Sequence, residues 1–288
     1  MKIERATIVY NKPLYQILIL EEKNAYYRKL FKNKHPATHN WVRIYDQHQE
    51  TLEGVYRTLM LLGIRTQEIY RKDLKKIGNS DLVVTVGGDG TVLETSHLLD
   101  KQLLMGVNAA PIDSRGALCH TRLETFLTAM VDLMTGVTKA IKVPRLKVQV
   151  GKKILPDPAL NEVLFANRSP GGTSRYVLQV GSRKEEQKGS GVWISTGAGS
   201  TAAMRSAGGK PLKPDFTGMQ YWVREPIMTS GPKPKILKGI LPKGKRLILM
   251  PTTRQSAVFI DGNHIEVPVE YGEKVVVSPN YKPLKMVW

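Results

Sequence analysis

Five consecutive residues of the 288-residue chain carry the strongest chemical signal: Gly87-Gly88-Asp89-Gly90-Thr91. They follow a compact apolar run at 82–86 and precede a helical pattern at 92–99, so they sit on a strand–turn–helix connection. Three glycines let the backbone turn sharply and let phosphate oxygens approach its amides. The helix that follows turns unpaired N–H groups and its positive dipole end toward the same place, and Thr91 is placed to cap it. Asp89 is the odd residue, because a carboxylate repels phosphate. It is useful there if it accepts the proton of an attacking alcohol, or holds Mg²⁺ that bridges phosphates. An ordinary connection in which Asp-Gly simply makes the turn is open at this point.

A second strand–turn–helix passage lies further along. Residues 192–196 are strand-like, Gly197-Ala198-Gly199 is a tight loop, and Ser200-Thr201 can start a small-residue helix through 202–207. Amides and hydroxyls there could converge on an anionic or ribose-bearing ligand, or the small residues could pack a helix closely on a sheet. Between the two passages Asn161-Glu162 interrupts an apolar run at 159–165. Adjacent polar residues on a strand point to opposite faces, so one is expected to face inward and to need a partner: a ligand's base or ribose, or a buried structural hydrogen bond.

Other chemistries are absent. The six histidines (35, 39, 48, 97, 120 and 264) lack the spacing of a zinc motif, and the single cysteine, Cys119, excludes an intramolecular disulfide framework and a Cys-rich zinc site. Cys119-His120 reads as incidental and His97 as structural. No metal-binding residue set is expected. There is neither a Gly-x-Ser-x-Gly nucleophile elbow nor a Gly-x-x-x-x-Gly-Lys-Ser/Thr phosphate loop.

The elements needed to position these residues divide the chain in two. In the first half strand-like runs at 6–10, 82–86 and 103–107 alternate with helical patterns at 49–62, 92–99 and 123–134, the last stopping at Gly136. That alternation predicts a Rossmann-like α/β domain with a mainly parallel sheet over 1–140. From 141 to 288 short strand-like runs dominate (141–150, 160–166, 175–180, 192–196, 246–250, 257–260, 264–269 and 274–277). They predict an all-β domain with one helical insertion after Gly199, a tight hairpin at Asp261-Gly262-Asn263, and a tail from about 271 that packs back on the first domain. The first ~75 residues are only generically α/β.

Charge is the compositional outlier. With 43 Lys+Arg against 25 Asp+Glu the net charge is +18, which favours anionic partners without choosing among them. Six basic residues, no acids, and Pro234 and Pro242 lie in 233–246, just after Pro232; a solvated, proline-stiffened loop is the reading preferred over a polyanion-binding lip. Lys2, Glu4 and Arg5 precede any apolar run, so the N-terminus does not read as a secretory signal, and no stretch approaches a membrane span. The expectation is a soluble protein of the reducing cytoplasm.

In their order and spacing these passages resemble the NAD kinase family: the Gly87–Thr91 motif, Gly106-Val107-Asn108 at the end of the next strand, Asn161-Glu162, and Gly199-Ser200-Thr201-Ala202 leading to Ala207-Gly208-Gly209. The likeness runs from about Ser80 to Asp261-Gly262. Ser114-Arg115, Leu118-Cys119, the run from Ala198 to Met204 and the run from Gln220 to Ile227 are similar to the plant NADH kinase branch. The resemblance implies phosphorylation of the adenosine-ribose 2′-hydroxyl of NAD⁺ or NADH by ATP or polyphosphate, with Mg²⁺ arriving on the nucleotide. It implies the NAD kinase/diacylglycerol kinase-like architecture, the dinucleotide between two domains, and a homo-oligomer, dimer or tetramer. By the same resemblance Asp89 is the catalytic residue beside the accepting hydroxyl, and Gly87, Gly88, Gly90 and Thr91 serve the donor phosphates. Asn161 and Glu162 would hold the adenosine end, while Thr196, Gly199, Ser200, Thr201 and Ala202 would line the dinucleotide site.

Two positions depart from the family's commonest pattern. Ser190 stands where most members have an aspartate, and Ala203 where they have a tyrosine. Loss of the anion removes some preference for the cationic oxidised ring, so NADH is expected to serve at least as well as NAD⁺. Two other classes compete. A diacylglycerol- or sphingosine-type lipid kinase would share the glycine–aspartate motif and use the positive charge at membranes. It would not need Asn161-Glu162 or the 199–209 turn, and no amphipathic anchor helix is evident, so no membrane partner is expected. A nucleic-acid-binding protein rests on charge alone and shows no binding motif or stacking platform, so no nucleic-acid partner is expected.

Overall fold

The structure is a computed structural model that describes residues 1–111, 116–228 and 233–288; Ser114, Arg115 and Pro232 lie outside the described residues. Its strands are β1 (Arg5–Tyr10), β2 (Arg65–Tyr70), β3 (Leu82–Gly87), β4 (Leu103–Asn108), β5 (Ile141–Val143), β6 (Lys147–Val150), β7 (Lys153–Ile154), β8 (Glu162–Asn167), β9 (Ser174–Val180), β10 (Arg183–Gly189), β11 (Gly191–Ser195), β12 (Met219–Arg224), β13 (Lys238–Leu241), β14 (Leu247–Pro251), β15 (Ser256–Ile260), β16 (Ile265–Val269), β17 (Val275–Ser278) and β18 (Leu284–Val287). The α-helices are α1 (Ala25–Lys32), α2 (Trp41–Leu61), α3 (Asp89–Ser96), α4 (Leu123–Thr135) and α5 (Ala203–Ser206). Two compact units divide the chain: Met1–Ile141 with Lys285–Trp288, and Lys142–Leu284.

The first unit is built on a sheet of order β2-β1-β3-β4-β18-β5. The pairings β1–β2, β1–β3, β3–β4 and β4–β18 are all parallel. Every residue of β3 and β4 is buried, which is why these strands are continuous apolar runs rather than alternating ones. Val55 and Leu59 of α2 and Phe126, Met130 and Leu133 of α4 complete the core. Helix α4 ends as its sequence predicts, at Gly136 with φ +85°. Leu127, within the helical pattern at 123–134, is exposed and takes no part in that core. Helix α2 starts at Trp41, eight residues before the pattern at 49–62 makes it visible, because its first two turns mix aromatic and charged side chains. Helix α3 likewise starts at Asp89, inside the glycine motif, rather than at residue 92.

The second unit holds two antiparallel sheets, of order β10-β9-β14-β17-β6-β7 and β13-β12-β11-β8-β15-β16. One core joins them, with Val148, Leu178, Leu249 and Val277 from the first and Val163, Phe165, Ile194 and Val258 from the second. At its centre the rings of Phe165 and Tyr176 meet edge to face at 5.3 Å. The expected single strand over 141–150 is two strands, β5 and β6. The helical insertion after Gly199 is shorter than expected, a 3₁₀ turn Ala198–Thr201 followed by α5. The basic stretch 233–246 is not simply a loop: β13 lies within it and pairs with β12, and Lys238 lies 4.5 Å from the centre of the Trp222 ring. Its six basic residues are all exposed.

Candidate functional site

In the first unit, the carboxyl ends of β1, β2, β3 and β4 bring the glycine motif beside residues the sequence did not single out. The chain runs from β1 outward to β2 and then crosses to β3 on the other side, so strand order reverses between β1 and β3. Ligands of open α/β sheets bind at such a point. Gly87 closes β3 there, and a Cβ on it would lie 2.5 Å from Thr91 Oγ1 and 2.7 Å from Asn11 Oδ1, so only glycine fits.

Asp89 is the first residue of α3. Its carboxylate accepts the N–H of Leu118 on Oδ1 at 2.8 Å and that of Ala117 on Oδ2 at 2.9 Å. These bonds fix the carboxylate's orientation, and each oxygen keeps lone-pair capacity for a further donor. The cap residue of α3 is Gly88, with no side-chain cap. Thr91 therefore does not cap the helix. It sits buried inside the first turn, and its amide donates to Gly88 O at 2.9 Å, so that amide is committed within the protein. Its hydroxyl oxygen has no hydrogen-bond partner among the described residues. Cys119 is buried beside the motif, and burial first and Asp89 second push its thiol pKa far up, so it stays protonated and inert.

In the second unit the expected residues also gather. Both Asn161 and Glu162 are buried, at 5% and 7% exposure, rather than one facing in and one out. Asn161 precedes β8, so the strict alternation of a strand does not apply to the pair. Asn161 Oδ1 and Glu162 Oε2 are buried oxygens without a hydrogen-bond partner among the described residues. Thr196 ties this pair to the second glycine turn: its amide donates to Asn161 O at 2.9 Å and its hydroxyl to Leu160 O at 2.6 Å, while Oγ1 accepts the Gly199 amide at 3.0 Å. A Cβ on Gly199 would lie 2.0 Å from Asn161 O, so the turn can approach this closely only with glycine.

The Ser200 hydroxyl is committed within the turn: it donates to Gly197 O at 2.6 Å and accepts the Leu212 amide at 2.8 Å, which makes it a strut of the turn. Thr201 is exposed and its hydroxyl lies 3.3 Å from Ala198 O, and Ala202 follows at the start of α5. Ser190 donates its amide to Arg224 O at 3.0 Å, and the Arg224 guanidinium lies 5.4 Å from the centre of the Trp193 ring. All three line a cavity of about 370 Å³ floored by Leu164 and Phe259.

Asp261 was visible in sequence only as part of a hairpin turn. It is buried at φ +51°, a left-handed conformation that aspartate tolerates better than most residues. Its carboxylate accepts the amides of Leu160, Asn161 and Glu162 at 2.8, 2.7 and 3.1 Å. Burial raises the pKa of both acids, Glu162 to about 8, and the Asp261 charge raises Glu162 further. The three amides and the Arg145 guanidinium oppose the rise at Asp261. Asp261 is raised to about 7, so of the two acids Glu162 holds its proton the more tightly.

That proton has a measurable consequence. A carboxyl whose pKa is higher folded than unfolded stabilises the native state fully below its unfolded value of 4.5, and the contribution is lost as pH rises toward about 8. Thermal stability of the ligand-free protein is expected to fall by an order of a few kcal/mol from about pH 5 to about pH 8.5. Glu162→Gln, which mimics the neutral acid, should flatten that slope. A slope unchanged in the variant would place the proton elsewhere.

No family model matches the chain. Among curated relatives, a probable NADH kinase of Oryza sativa subsp. japonica is 29% identical over 263 residues, covering 83% of this chain and 81% of that protein. An NAD kinase of Clostridium botulinum is 30% identical over 238 residues, covering 79% of this chain and 81% of that protein. Among solved structures, an NAD kinase from Archaeoglobus fulgidus in complex with ATP matches with a TM-score of 0.68 at 17% identity, over 99% of this chain and 93% of that one. The last likeness is one of fold, an α/β region with a mostly parallel sheet and an antiparallel β-rich region.

Proposed function

The chain belongs to the NAD kinase family, and on that premise we propose that it phosphorylates the adenosine-ribose 2′-hydroxyl of NAD⁺ or NADH to give NADP(H). It is a phosphotransferase with an alcohol acceptor. The observation that carries the reading is the glycine turn with Asp89 as the first residue of α3, its carboxylate held by two amides.

Phosphoryl transfer through a loose transition state needs alignment and charge neutralisation more than covalent help. In this reading the amides of Gly88 and Gly90 face the donor phosphates. Thr91 contributes at most its unpartnered hydroxyl, since its amide is spent on Gly88 O. The 2′-oxygen forms a bond to the terminal phosphorus as the bond to the bridging oxygen breaks, and the hydroxyl proton passes to Asp89. Asn161 and the protonated Glu162 offer polar groups for the adenosine end, with Thr196 and Gly199 fixing the backbone around them. Mg²⁺ would arrive as part of the nucleotide substrate. ATP is the donor proposed, polyphosphate the alternative. A homo-oligomer, dimer or tetramer, in the cytoplasm completes the reading; no helix of the described residues is long and apolar enough to cross a membrane.

Acceptor preference follows from Ser190. Where an aspartate would place an anion, a serine stands next to the Arg224 cation, which disfavours the positively charged oxidised ring. The bias at partly solvated distance is about 1 kcal/mol, or severalfold. NADH is therefore expected to have a kcat/KM at least equal to that of NAD⁺, and Ser190→Asp to move the ratio severalfold toward NAD⁺. A coupled assay for NADP(H), run with ATP against each acceptor, measures both. Absence of NADP(H) with every donor would end the kinase reading, and a strong wild-type preference for NAD⁺ would end the argument from Ser190.

A further inference from the structure

We propose that Arg145 is a positioning residue for the dinucleotide: buried away from any ligand, it holds the Asp261 carboxylate that fixes the backbone of Asn161 and Glu162. The proposal rests on the kinase reading for what those two residues bind, but not for the link from Arg145 to Asp261.

Arginine is seldom buried unless its charge is met by an anion or by carbonyl groups. Arg145 is only 1% exposed and is the largest fully buried side chain among the described residues. Backbone pairing sets where it stands. Leu146 and Ala159 exchange both of their backbone hydrogen bonds, at 2.8 and 3.1 Å in an antiparallel bridge, which lays Arg145 opposite Leu160. Side-chain contacts set its direction. Nε donates to Lys282 O at 3.0 Å, and the guanidinium carbon lies 5.2 Å from the centre of the Tyr281 ring. A planar guanidinium pinned at Nε and set against a ring keeps one orientation, as a flexible ammonium would not. Its charge reaches Asp261, where it acts with three backbone amides against the cost of burying a carboxylate.

Those amides divide between the two oxygens, Leu160 on Oδ2 and Asn161 and Glu162 on Oδ1. A proton on either oxygen would meet an N–H already aimed at it, so the full set of bonds requires the ionised carboxylate. Arg145 favours that form. Without it Asp261 takes up a proton more readily, an amide loses its acceptor and the backbone at 160–162 relaxes. Asn161 Oδ1 and Glu162 Oε2, buried and without a partner among the described residues, ride on that backbone. Arg145 therefore acts on the dinucleotide through Asp261 and touches no ligand itself.

Calorimetric titration of the full chain with NADH, alongside melting curves, tests this on Arg145→Met, Asp261→Asn and the double variant. Each single substitution should weaken NADH binding about 10-fold, the effect of one lost site contact. In turnover each should leave KM for ATP within about twofold. Because one residue acts through the other, the double variant should bind NADH about as Asp261→Asn does, rather than about 100-fold more weakly than wild type. Its melting temperature should likewise fall by less than the two single falls added together. Arg145→Lys keeps the charge without the fixed fork, so its affinity should lie between wild type and Arg145→Met. Paired with Asp261→Asn, it carries the test if Arg145→Met does not fold. Losses of NADH affinity that multiply in the double variant overturn the proposal. So does coupling in melting temperature with NADH affinity unmoved, which would leave Arg145 holding the fold alone. Wild-type protein that binds no NADH removes the kinase reading instead, and the melting temperatures then decide the link between Arg145 and Asp261.

Discussion

Asp89→Asn is expected to lower kcat for NADP(H) formation by about 10²–10⁴-fold, the range lost when a positioned base is removed. KM for the dinucleotide should move little, because Asn161 and Glu162 are untouched. The structure adds a cost that the motif alone does not reveal. The carboxylate accepts two amides, from Ala117 and Leu118, and an asparagine has one acceptor oxygen for both. One N–H then faces an NH₂ group, at a cost of about 1–3 kcal/mol if it stays dry and less at this half-buried site. A fall in melting temperature of a few degrees should accompany the loss of rate. Asp89→Ala separates the two effects. It removes both acceptors, so it should be less stable than Asp89→Asn, yet equally slow if the missing group is the base. If rate instead tracks stability across the two variants, or if Asp89→Asn turns over nearly normally, Asp89 serves the 116–118 backbone and not the hydroxyl.

The features legible in the sequence are those whose physics is local. A glycine-rich turn between a buried strand and a helix announces itself in five residues, and Gly136 ends α4 because a left-handed residue is needed there. The register of a parallel sheet is not local. Lys12 follows β1 and Arg71 follows β2, and only the pairing of Tyr10 with both Tyr70 and Val86 brings them beside Gly88. Their surroundings in sequence are ordinary, so nothing marked them. Edge strands were lost for a different reason. The β10 strand reads Arg-Lys-Glu-Glu-Gln-Lys-Gly and lies at the rim of its sheet, where charge guards against unwanted pairing and erases the alternation by which strands are recognised. The β13 strand, at the rim of the other sheet within the basic stretch, was hidden in the same way.

The two sets of site residues differ in how they are held. Asp89 is oriented by a neighbouring loop in its own unit, whereas Asn161 and Glu162 are oriented by a residue about a hundred positions away. Ser200 and Thr196 show the same division of labour on a smaller scale. Their hydroxyls are committed to the turn, so in the proposed site they would offer a ligand shape rather than hydrogen bonds.

Asp261 should therefore be the most sensitive position of the second unit. Asp261→Ala strips the acceptor from three buried amides and leaves alanine in a left-handed conformation that it resists. Each orphaned amide costs about 1–3 kcal/mol, and because neighbouring losses are not additive a total of about 3–5 kcal/mol is expected. That is a drop on the order of 10 °C in melting temperature. Asp261→Asn is the informative variant. Asparagine tolerates the same backbone and keeps one acceptor, so about half the stability should be retained, while the Leu160–Glu162 backbone loosens. Arg145, fully buried with its Nε donating to Lys282 O at 3.0 Å, then loses a nearby anion. If Asp261 acts by setting where Asn161 and Glu162 stand, KM for NADH should rise about 10-fold, as for one lost site contact, with kcat and KM for ATP nearly unchanged. A variant that melts lower but keeps its KM for NADH would show that the carboxylate only holds the fold. One that melts and binds as the wild type does would show that the three amides find water as good a partner as Asp261.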